Sequence, residues 1–223
     1  MAKSTKSVSK EVKKEKSPPK RRTSSGDETR ARIVEATLET LKSDGITGTS
    51  ARAIAKRGDF NQALIFYHFG SIDDVIVAAV AEMSCRRMER HEARLQEAET
   101  LLELVTIARE LHADDMVADS MTVLTQAFAG AHGHPELGPK LYSELEPWSN
   151  MVAGTVDRLM ADVPIAAAIN TEHISQAISA LFLGIELLEG LDPKRTNAGA
   201  LFDTLEGLTR VVDLILQSSV LDP

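Results

Sequence analysis

The stretch "GDFNQALIFYHFGS", residues 58–71, constrains the fold of this chain more than any other. Its β-branched and aromatic residues favour a buried strand when it is read alone. However, a short turn leads to Asn61, a good N-cap residue, so the segment beyond is predicted to begin a helix. Upstream, Ser50 is a plausible cap for "ARAIAKR", a short helix that stops at Gly58. Two short capped helices joined by a tight turn predict a helix-turn-helix.

The aromatic residues of this stretch cannot all be buried. Four of the nine aromatic residues in the chain lie within ten positions here. We expect Phe60, Ile65 and Phe69 to face inward against Ile54 and Ala55. A three-helix unit of about forty residues has few core positions, so the other side chains must cover a second surface. That predicted contact surface comprises Gln62, Ala63, Leu64, Tyr67 and His68.

The rest of the chain indicates helices. Alanine, leucine and glutamate dominate, and apolar residues recur at helical spacing from Ile72 onward. We therefore predict an all-α fold of about nine helices. Residues 26–71 form a three-helix helix-turn-helix domain, and residues 72–223 form a larger helical domain. Residues 1–25 have almost no apolar side chains and are predicted to be a disordered basic arm. The alternative for the arm is a solubilising tail.

The net charge of −8 is unevenly distributed. Residues 1–25 carry nine Lys and Arg against two Glu, a net +7, and residues 26–70 carry six of each sign. Residues 71–223 carry ten basic against 25 acidic residues, a net −15. A polyanion such as nucleic acid is therefore attracted to the N-terminal end and repelled by the remainder.

The location is predicted to be the cytoplasm. The single cysteine, Cys85, cannot form an internal disulfide, which suits a reducing compartment. No secretory signal fits the N-terminus, and no apolar run approaches about 18 residues, so no membrane partner is expected. Cys85 is predicted to be a small packing residue, with a redox- or metal-responsive thiol as the alternative.

Neither an enzyme nor a cofactor is indicated. The sequence lacks a glycine-rich phosphate loop, a His-Glu-x-x-His motif and paired zinc cysteines. His132 and His134 flank a glycine but have no third ligand nearby in sequence, so a plain loop is predicted there. We expect no catalytic residues, no cofactor and no metal. A catalytic group assembled in space from distant residues stays an alternative.

The segment "TSARAIAKRGDFNQALIFYHFGSIDDVIVAAV" resembles the DNA-binding segment of TetR-family transcriptional regulators. Ile54-Ala55 match an Ile-Ala pair of that family, and residues 65–69 match its Leu-Tyr-Tyr-His-Phe run. The detailed resemblance covers about residues 29–80. Beyond it, only helix count, helix length and the "HPEL" loop agree. The resemblance implies a dimeric repressor, released from a palindromic operator by a small-molecule ligand that the larger domain binds.

Three departures from the family pattern affect the predicted DNA contacts. The turn usually reads Ala-Gly-Val and is Gly58-Asp59-Phe60 here. Phe66 replaces a tyrosine whose hydroxyl often reaches a phosphate, and Ile72 replaces a phosphate-binding lysine. The domain therefore has fewer charged anchors than its relatives, for which the basic arm could compensate.

The predicted DNA contacts divide into base readers and phosphate anchors. Gln62 can pair with adenine through its amide, and the methyl groups of Ala63 and Leu64 can meet a thymine methyl. By resemblance, Arg52 reaches guanine. Packing for Leu64, helix capping for His68 and plain solvation for Gln62 stay open as alternatives. The whole predicted set is Thr29, Arg30, Ser50, Arg52, Asn61, Gln62, Ala63, Leu64, Tyr67 and His68, with Lys20, Arg21 and Arg22 of the arm.

The larger domain is expected to supply a ligand pocket and a dimer interface. The predicted pocket residues are Met88, His91, Met121, Phe128, Tyr142, Trp148, Met151, Phe182 and Glu186. Given the acidic domain, we expect a mostly apolar, weakly cationic ligand. The predicted dimer residues, from the last two long helices, are Ala177, Ala180, Leu181, Gly184, Ile185, Leu208, Val212 and Ile215. An intramolecular core is the alternative for these positions. Ligand-independent or architectural DNA binding, or a helical enzyme, are the alternatives for the function.

Overall fold

The computed structural model describes residues 25–117, 120–131, 133–161 and 170–220, and every regular element within them is a helix. The helices are α1 (Ser25–Gly48), α2 (Ala51–Gly58), α3 (Ala63–Phe69), α4 (Ile72–Glu97), α5 (Leu101–Val117), α6 (Ser120–Ala131), α7 (Leu137–Ser143), α8 (Glu146–Met160), α9 (Thr171–Leu191), α10 (Pro193–Thr196) and α11 (Ala198–Val220). The predicted basic arm lies outside the described residues except for Ser25.

The all-α prediction is confirmed, and each of the nine predicted helices has a counterpart. Two further segments bring the number of described helices from nine to eleven. The helix predicted to carry both Tyr142 and Trp148 is divided, because the chain turns at residues 144–145 between α7 and α8. Helix α10 is a single turn that begins at Pro193, where the Asp192 side chain accepts hydrogen bonds from the backbone N–H groups of Lys194 and Arg195.

A small core joins the first three helices to the start of α4. Ile33, Ile54, Ile65 and Val75 are fully buried there, and Phe60 and Phe69 pack against them. The predicted inward face is thus confirmed. The strand-like segment "ALIFYHF" is a helix because its buried positions, such as Ile65 and Phe69, repeat at the helical spacing of four.

Helix α1 connects the small core to the larger domain, since it packs against α2, α4 and α6. The regular turns of α1 end at Gly45, which has φ +67°, as the predicted glycine stop requires. The backbone N–H of Ile46 then donates to Oε1 of Gln126 on α6 at 2.9 Å. A Cβ added at Gly45 would lie 2.9 Å from that same oxygen, so both conformation and space favour glycine here.

Two further apolar clusters form the rest of the core. The first packs α1 and α4 against α6 and α7, around residues such as Leu41, Val80 and Leu124. The second packs the end of α4 against α5, α8, α9 and α11, around Leu111 and Val156. The buried charges described below come from α4, α5 and α9.

Helix α9 differs from one expectation. It is the single described helix long and apolar enough to cross a membrane by length and composition alone, whereas the sequence predicted none. The prediction required an uninterrupted apolar run, and Glu186 interrupts this one. In the folded chain Glu186 is fully buried beside Arg87 of α4.

Candidate nucleic-acid interface and ligand cavity

The turn between α2 and α3 has a left-handed residue at its centre. Asp59 has φ 51° and ψ 56°, a region that aspartate tolerates better than most residues. It occupies the place of the glycine in the Ala-Gly-Val pattern. A side chain at Gly58 would put its Cβ 2.2 Å from the Phe60 ring, so the smallest residue is needed there instead. The unusual turn sequence is therefore compatible with a tight helix-turn-helix.

Both short helices are capped from within the domain. The Ser50 hydroxyl accepts from the backbone N–H of Ala53 at 3.2 Å, as predicted. The Asn61 side chain accepts from the backbone N–H of Ala63 at 2.8 Å, where α3 begins. Because these two polar side chains bind their own backbone, any DNA contact from them uses their remaining hydrogen-bonding capacity.

The start of α3 presents the predicted contact surface to solvent. Gln62 and Ala63 are exposed, and the Tyr67 side chain is 82% exposed. Leu64 and His68 are half-buried, with Leu64 packed against the small core. On α2, Arg52 is exposed. Gln62, Ala63 and Tyr67 are therefore accessible to a large partner, as is Arg52.

Arg30 fastens the end of α3 to α1. Its Nη1 donates to the backbone carbonyl of His68 at 2.9 Å, and its guanidinium lies 4.0 Å from the centre of the Phe69 ring. A cation at a helix C-terminus is favourable to the helix dipole. The sequence prediction gave Arg30 only a phosphate contact, because no local pattern links residues 38 positions apart. Thr29 donates to the carbonyl of Ser25 at 2.9 Å. Lys20, Arg21 and Arg22 lie outside the described residues.

The start of α4 is tied to α7. The Ser71 hydroxyl caps α4 and lies 2.6 Å from one oxygen of Asp74, while Lys140 Nζ lies 2.7 Å from the other. The hydrogen bonds from Lys140 and Ser71 lower the pKa of Asp74. Nearby, Nδ1 of His134 lies 3.2 Å from a carboxylate oxygen of Asp73. These contacts connect the segment that follows α3 with the helices of the larger domain.

A cavity of about 500 Å³ lies between α8 and α9, with Arg87 of α4 and Leu124 of α6 also in its wall. Of the predicted pocket residues, Tyr142, Trp148 and Phe182 line it. A second cavity of about 270 Å³ is lined by Met121, Glu186 and Asp115, among others. The first cavity is large enough for a small organic molecule.

The other predicted pocket residues lie in the packed interior. Met88 is half-buried on α4. Phe128 packs against the first apolar cluster and Met151 against the second. His91 is buried, and its ring stands edge-on to Trp148 at 6.5 Å.

Sequence reasoning placed His91 and Glu186 in the pocket but missed Arg87 and Asp115, which form a group of buried charges with them beside the cavity between α8 and α9. Arg87 Nε donates to Asp115 at 2.5 Å, and its Nη2 lies 3.5 Å from both oxygens of Glu186. The Arg87 guanidinium also lies over the Trp148 ring, 4.2 Å from its centre. The partners are 28 and 99 positions from Arg87, which is why no spacing in the sequence reveals them.

The pKa values of the two carboxyl groups of this cluster are shifted in opposite directions. Burial raises the pKa of Glu186 to about 8, because the charge of Arg87 only partly offsets the loss of water. Burial acts in the same sense on Asp115. There, however, hydrogen bonds from His91 and Arg87 and the charge of Arg87 outweigh it, and the pKa of Asp115 is lowered. At neutral pH the cluster thus holds an ionised Asp115 and a largely protonated Glu186.

Histidines complete the cluster. Nε2 of His91 lies 3.4 Å from Asp115, and Nε2 of His112 contacts Glu189. The other ring nitrogen of each histidine is buried without a hydrogen-bond partner among the described residues.

An apolar surface is exposed along α9 and α11. Leu181 is 50% exposed and Leu208 59%, and Val212, Ala177 and Ala180 are exposed beside them. Gly184 is half-exposed, with nothing within 4 Å of a Cβ built there. Ile185, by contrast, is only 4% exposed and belongs to the core of its own chain. The side chain of Ile215 lies outside the described part of the chain.

Cys85 corrects a prediction. It is exposed on α4, not packed inside, because the buried residues of α4 around it are Met83 and Arg87. The negative charge of Glu89 raises the pKa of the Cys85 thiol. In the described ranges, no three His, Cys, Asp or Glu residues are grouped so that they could hold a metal ion.

Residues 33–79, from the middle of α1 into α4, match the family model for bacterial regulatory proteins of the tetR family. Residues 33–79 therefore carry the DNA-binding segment of a TetR-type regulator, and the predicted resemblance is confirmed. No curated protein matches its sequence.

Solved structures extend the likeness beyond residues 33–79. A TetR-family regulator from Cytophaga hutchinsonii superposes with a TM-score of 0.68 at 20% identity, over 85% of this chain and 97% of the other. The fatty acid degradation regulator FadR from Bacillus halodurans gives 0.67 at 17% identity, over 81% and 94%. FadR from Bacillus subtilis, solved with stearoyl-CoA, gives 0.63 at 17% identity, over 80% and 96%. At such identities the likeness shows a shared fold over most of the chain.

Proposed function

We propose that this TetR-family regulator is a homodimeric repressor that binds a palindromic operator and is released by a small-molecule effector. One observation carries the proposal: the exposed start of α3 and the exposed apolar surface of α9 and α11 occur in one chain. A single helix-turn-helix contacts one half-site, and two related by a twofold axis read a palindrome. The protein acts in the cytoplasm, without a membrane partner, and it is not an enzyme.

On the DNA side, α3 enters the major groove with its first residues against the bases. Gln62 pairs with adenine, Ala63 and Leu64 meet thymine methyl groups, and Arg52 of α2 reaches guanine. The phosphate anchors are Thr29, Arg30, Ser50, Asn61, Tyr67 and His68, with Lys20, Arg21 and Arg22 of the basic arm. The charge distribution supports this orientation, because the acidic larger domain is held away from the duplex.

The dimer forms through α9 and α11 of two chains, which pack as four helices. Burying side chains such as Leu181 and Leu208 is favourable at roughly 25 cal/mol per Å² of apolar surface removed from water. The exposed alanines and Gly184 allow close approach of the helices. Ala177, Ala180, Leu181, Gly184, Leu208, Val212 and Ile215 are the proposed interface residues; Ile185 supports the interface from inside its own chain.

A ligand enters the cavity between α8 and α9 and favours a conformation that no longer fits the operator. Such coupling requires different ligand affinity in the two states. The cavity supports this part, as does Bacillus subtilis FadR, a protein of the same fold solved with stearoyl-CoA. The contact of Lys140 on α7 with Asp74 at the start of α4 connects the cavity wall to the helices that follow the helix-turn-helix.

The proposal is tested on an inverted repeat upstream of the chain's own gene. Fluorescence anisotropy with that duplex should show cooperative binding, and a duplex with one half-site scrambled should bind much more weakly. Equal binding to every duplex would instead indicate an architectural protein, and no binding to any dyad-symmetric duplex would contradict the proposal. Failure of every small molecule to release the operator would favour ligand-independent binding.

The dimer is tested separately by light scattering after size-exclusion chromatography. Leu181→Glu with Leu208→Glu should give a monomer that has lost cooperative operator binding, because charges at a buried interface are costly. Val117→Glu is the matched control, since Val117 is 87% exposed on α5 and lies on neither interface helix. A wild-type protein that is monomeric at all concentrations would refute the dimer.

A further inference from the structure

The wall of the cavity between α8 and α9 contains a buried cation. Arg87 is only 6% exposed, yet it lines the cavity together with Trp148 and Phe182. We infer that the effector is an apolar molecule that ends in a carboxylate, which Arg87 and Ser179 receive. This inference rests on the proposed ligand release and names the chemical class of the ligand.

The local charge balance at Arg87 favours an anion. Asp115 is shared, since Arg87 lies at 2.5 Å and Arg90 at 3.7 Å from its oxygens. Glu186 is more distant from Arg87, at 3.5 Å, and burial raises its pKa to about 8. Arg87 thus has one short ionic contact, to Asp115, and that carboxylate is shared with Arg90. An arriving carboxylate gives the guanidinium a second close partner in a region of low dielectric, where charge-assisted hydrogen bonds are strong.

Two serines on the same cavity wall differ in whether their hydroxyl group has a hydrogen-bond partner. Ser175 and Ser179 are one turn apart on α9, and both line the cavity. The Ser175 hydroxyl donates to the Thr171 carbonyl at 2.8 Å. The Ser179 hydroxyl is buried and has no hydrogen-bond partner within the described chain. A buried donor without a partner is costly, and a ligand oxygen would satisfy it.

The remaining wall suits an apolar tail. Aromatic and aliphatic side chains dominate it, including Tyr142, Trp148, Phe182 and Leu183. A volume of about 500 Å³ accommodates a hydrocarbon chain of medium length. The ligand is then oriented by its polar end, because the apolar tail has no directional contacts.

The acidic character of the domain, which predicts a cation from the sequence, does not extend to this wall. The cavity carboxylates, Glu146 and Glu172, are both exposed. Water and salt screen exposed charges, whereas a cation placed beside the buried Arg87 would be repelled at low dielectric.

The test uses the only tryptophan of the chain as a reporter, because Trp148 lines the cavity. Decanoate, decanol and decylamine carry the same tail and differ in head group. Titrated below their micelle concentrations, decanoate should change the Trp148 fluorescence at about tenfold lower concentration than decanol, and decylamine should bind most weakly. Equal affinity for decanoate and decanol, tighter binding of decylamine, or no response to any of the three would each overturn the inference.

Variants locate the head group. Ser179→Ala should weaken decanoate about fivefold and decanol by less, since the hydroxyl donates a stronger hydrogen bond to an anion than to an alcohol oxygen. Ser175→Ala is the matched control and should leave both unchanged. Arg87→Gln, checked for helix content by circular dichroism, should abolish the preference for decanoate over decanol. If Ser179→Ala and Ser175→Ala behave alike, the carboxylate is not at this wall.

Operator binding separates this inference from the proposed function. Decanoate that binds should also lower the anisotropy of the operator complex. If the protein binds its palindrome but ignores decanoate, the ligand class is wrong and the repressor proposal stands. If it binds no palindrome while decanoate binds, the repressor proposal is wrong and the anion site stands.

Discussion

Replacing Glu186 with glutamine should stabilise the protein increasingly as pH rises. The ordinary pKa of this carboxyl is 4.5, and burial raises it to about 8 in the folded chain. The unfolded chain therefore releases its proton at lower pH than the folded chain does. Ionisation then favours the unfolded state from about pH 4.5 upward, and the effect levels off above about pH 8. Glutamine has nearly the same shape and hydrogen-bonding groups but no proton to lose.

The magnitude follows from the pKa difference. Each pKa unit corresponds to about 1.4 kcal/mol, so at pH 7, where the unfolded chain is ionised and the folded one is not, the variant gains on the order of 3 kcal/mol.

The assay is urea unfolding followed by circular dichroism at a series of pH values from 4 to 9. The difference between Glu186→Gln and wild type should be small at the acidic end and grow toward neutral pH. Glu172→Gln controls for the loss of one negative charge, because Glu172 is exposed on the same helix. A difference that is constant with pH, or that shrinks as pH rises, would refute the claim that Glu186 is buried in its protonated form.

Three further predictions concern the reading domain. Asp59→Gly should raise the free energy of unfolding by about 1 kcal/mol, because glycine adopts the left-handed conformation without steric cost; thermal melts with Asp59→Ala as the comparison decide this. Gln62→Ala should relax specificity at one base pair per half-site by about 1–3 kcal/mol, and unchanged affinities across operator variants would contradict that role. Removal of residues 1–25 should weaken DNA binding and flatten its dependence on salt; an unchanged slope would make the arm a plain tail.

The reading domain could be predicted from sequence because its signals are local. The Ser50 and Asn61 caps lie within three residues of the N–H groups that they accept from. The long helices could be predicted in the same way, because their apolar residues recur at helical spacing. The contact made by Arg30 could not be predicted, since it depends on how α1 meets α3.

The interior of the larger domain was much less predictable. Apolar side chains such as Met88 and Phe182 have the same sequence signature whether they pack or line a cavity. The Arg87, Asp115 and Glu186 cluster is formed by three helices, and a charged residue on a long helix ordinarily indicates a solvated face. The prediction that Cys85 is packed inside was wrong because a small residue on α4 can lie on the buried or on the exposed face of the helix.

The hydrogen bond from Ile46 to Gln126 has a practical consequence for anyone who builds hybrid regulators. The break in α1 at Gly45 is fitted to an amide on a helix that is 80 positions further along the chain. Transplanting the first seventy residues onto a foreign effector domain would leave that N–H facing whatever side chain happens to stand there. A successful chimera would therefore need a glutamine at the position of Gln126 as well as Gly45.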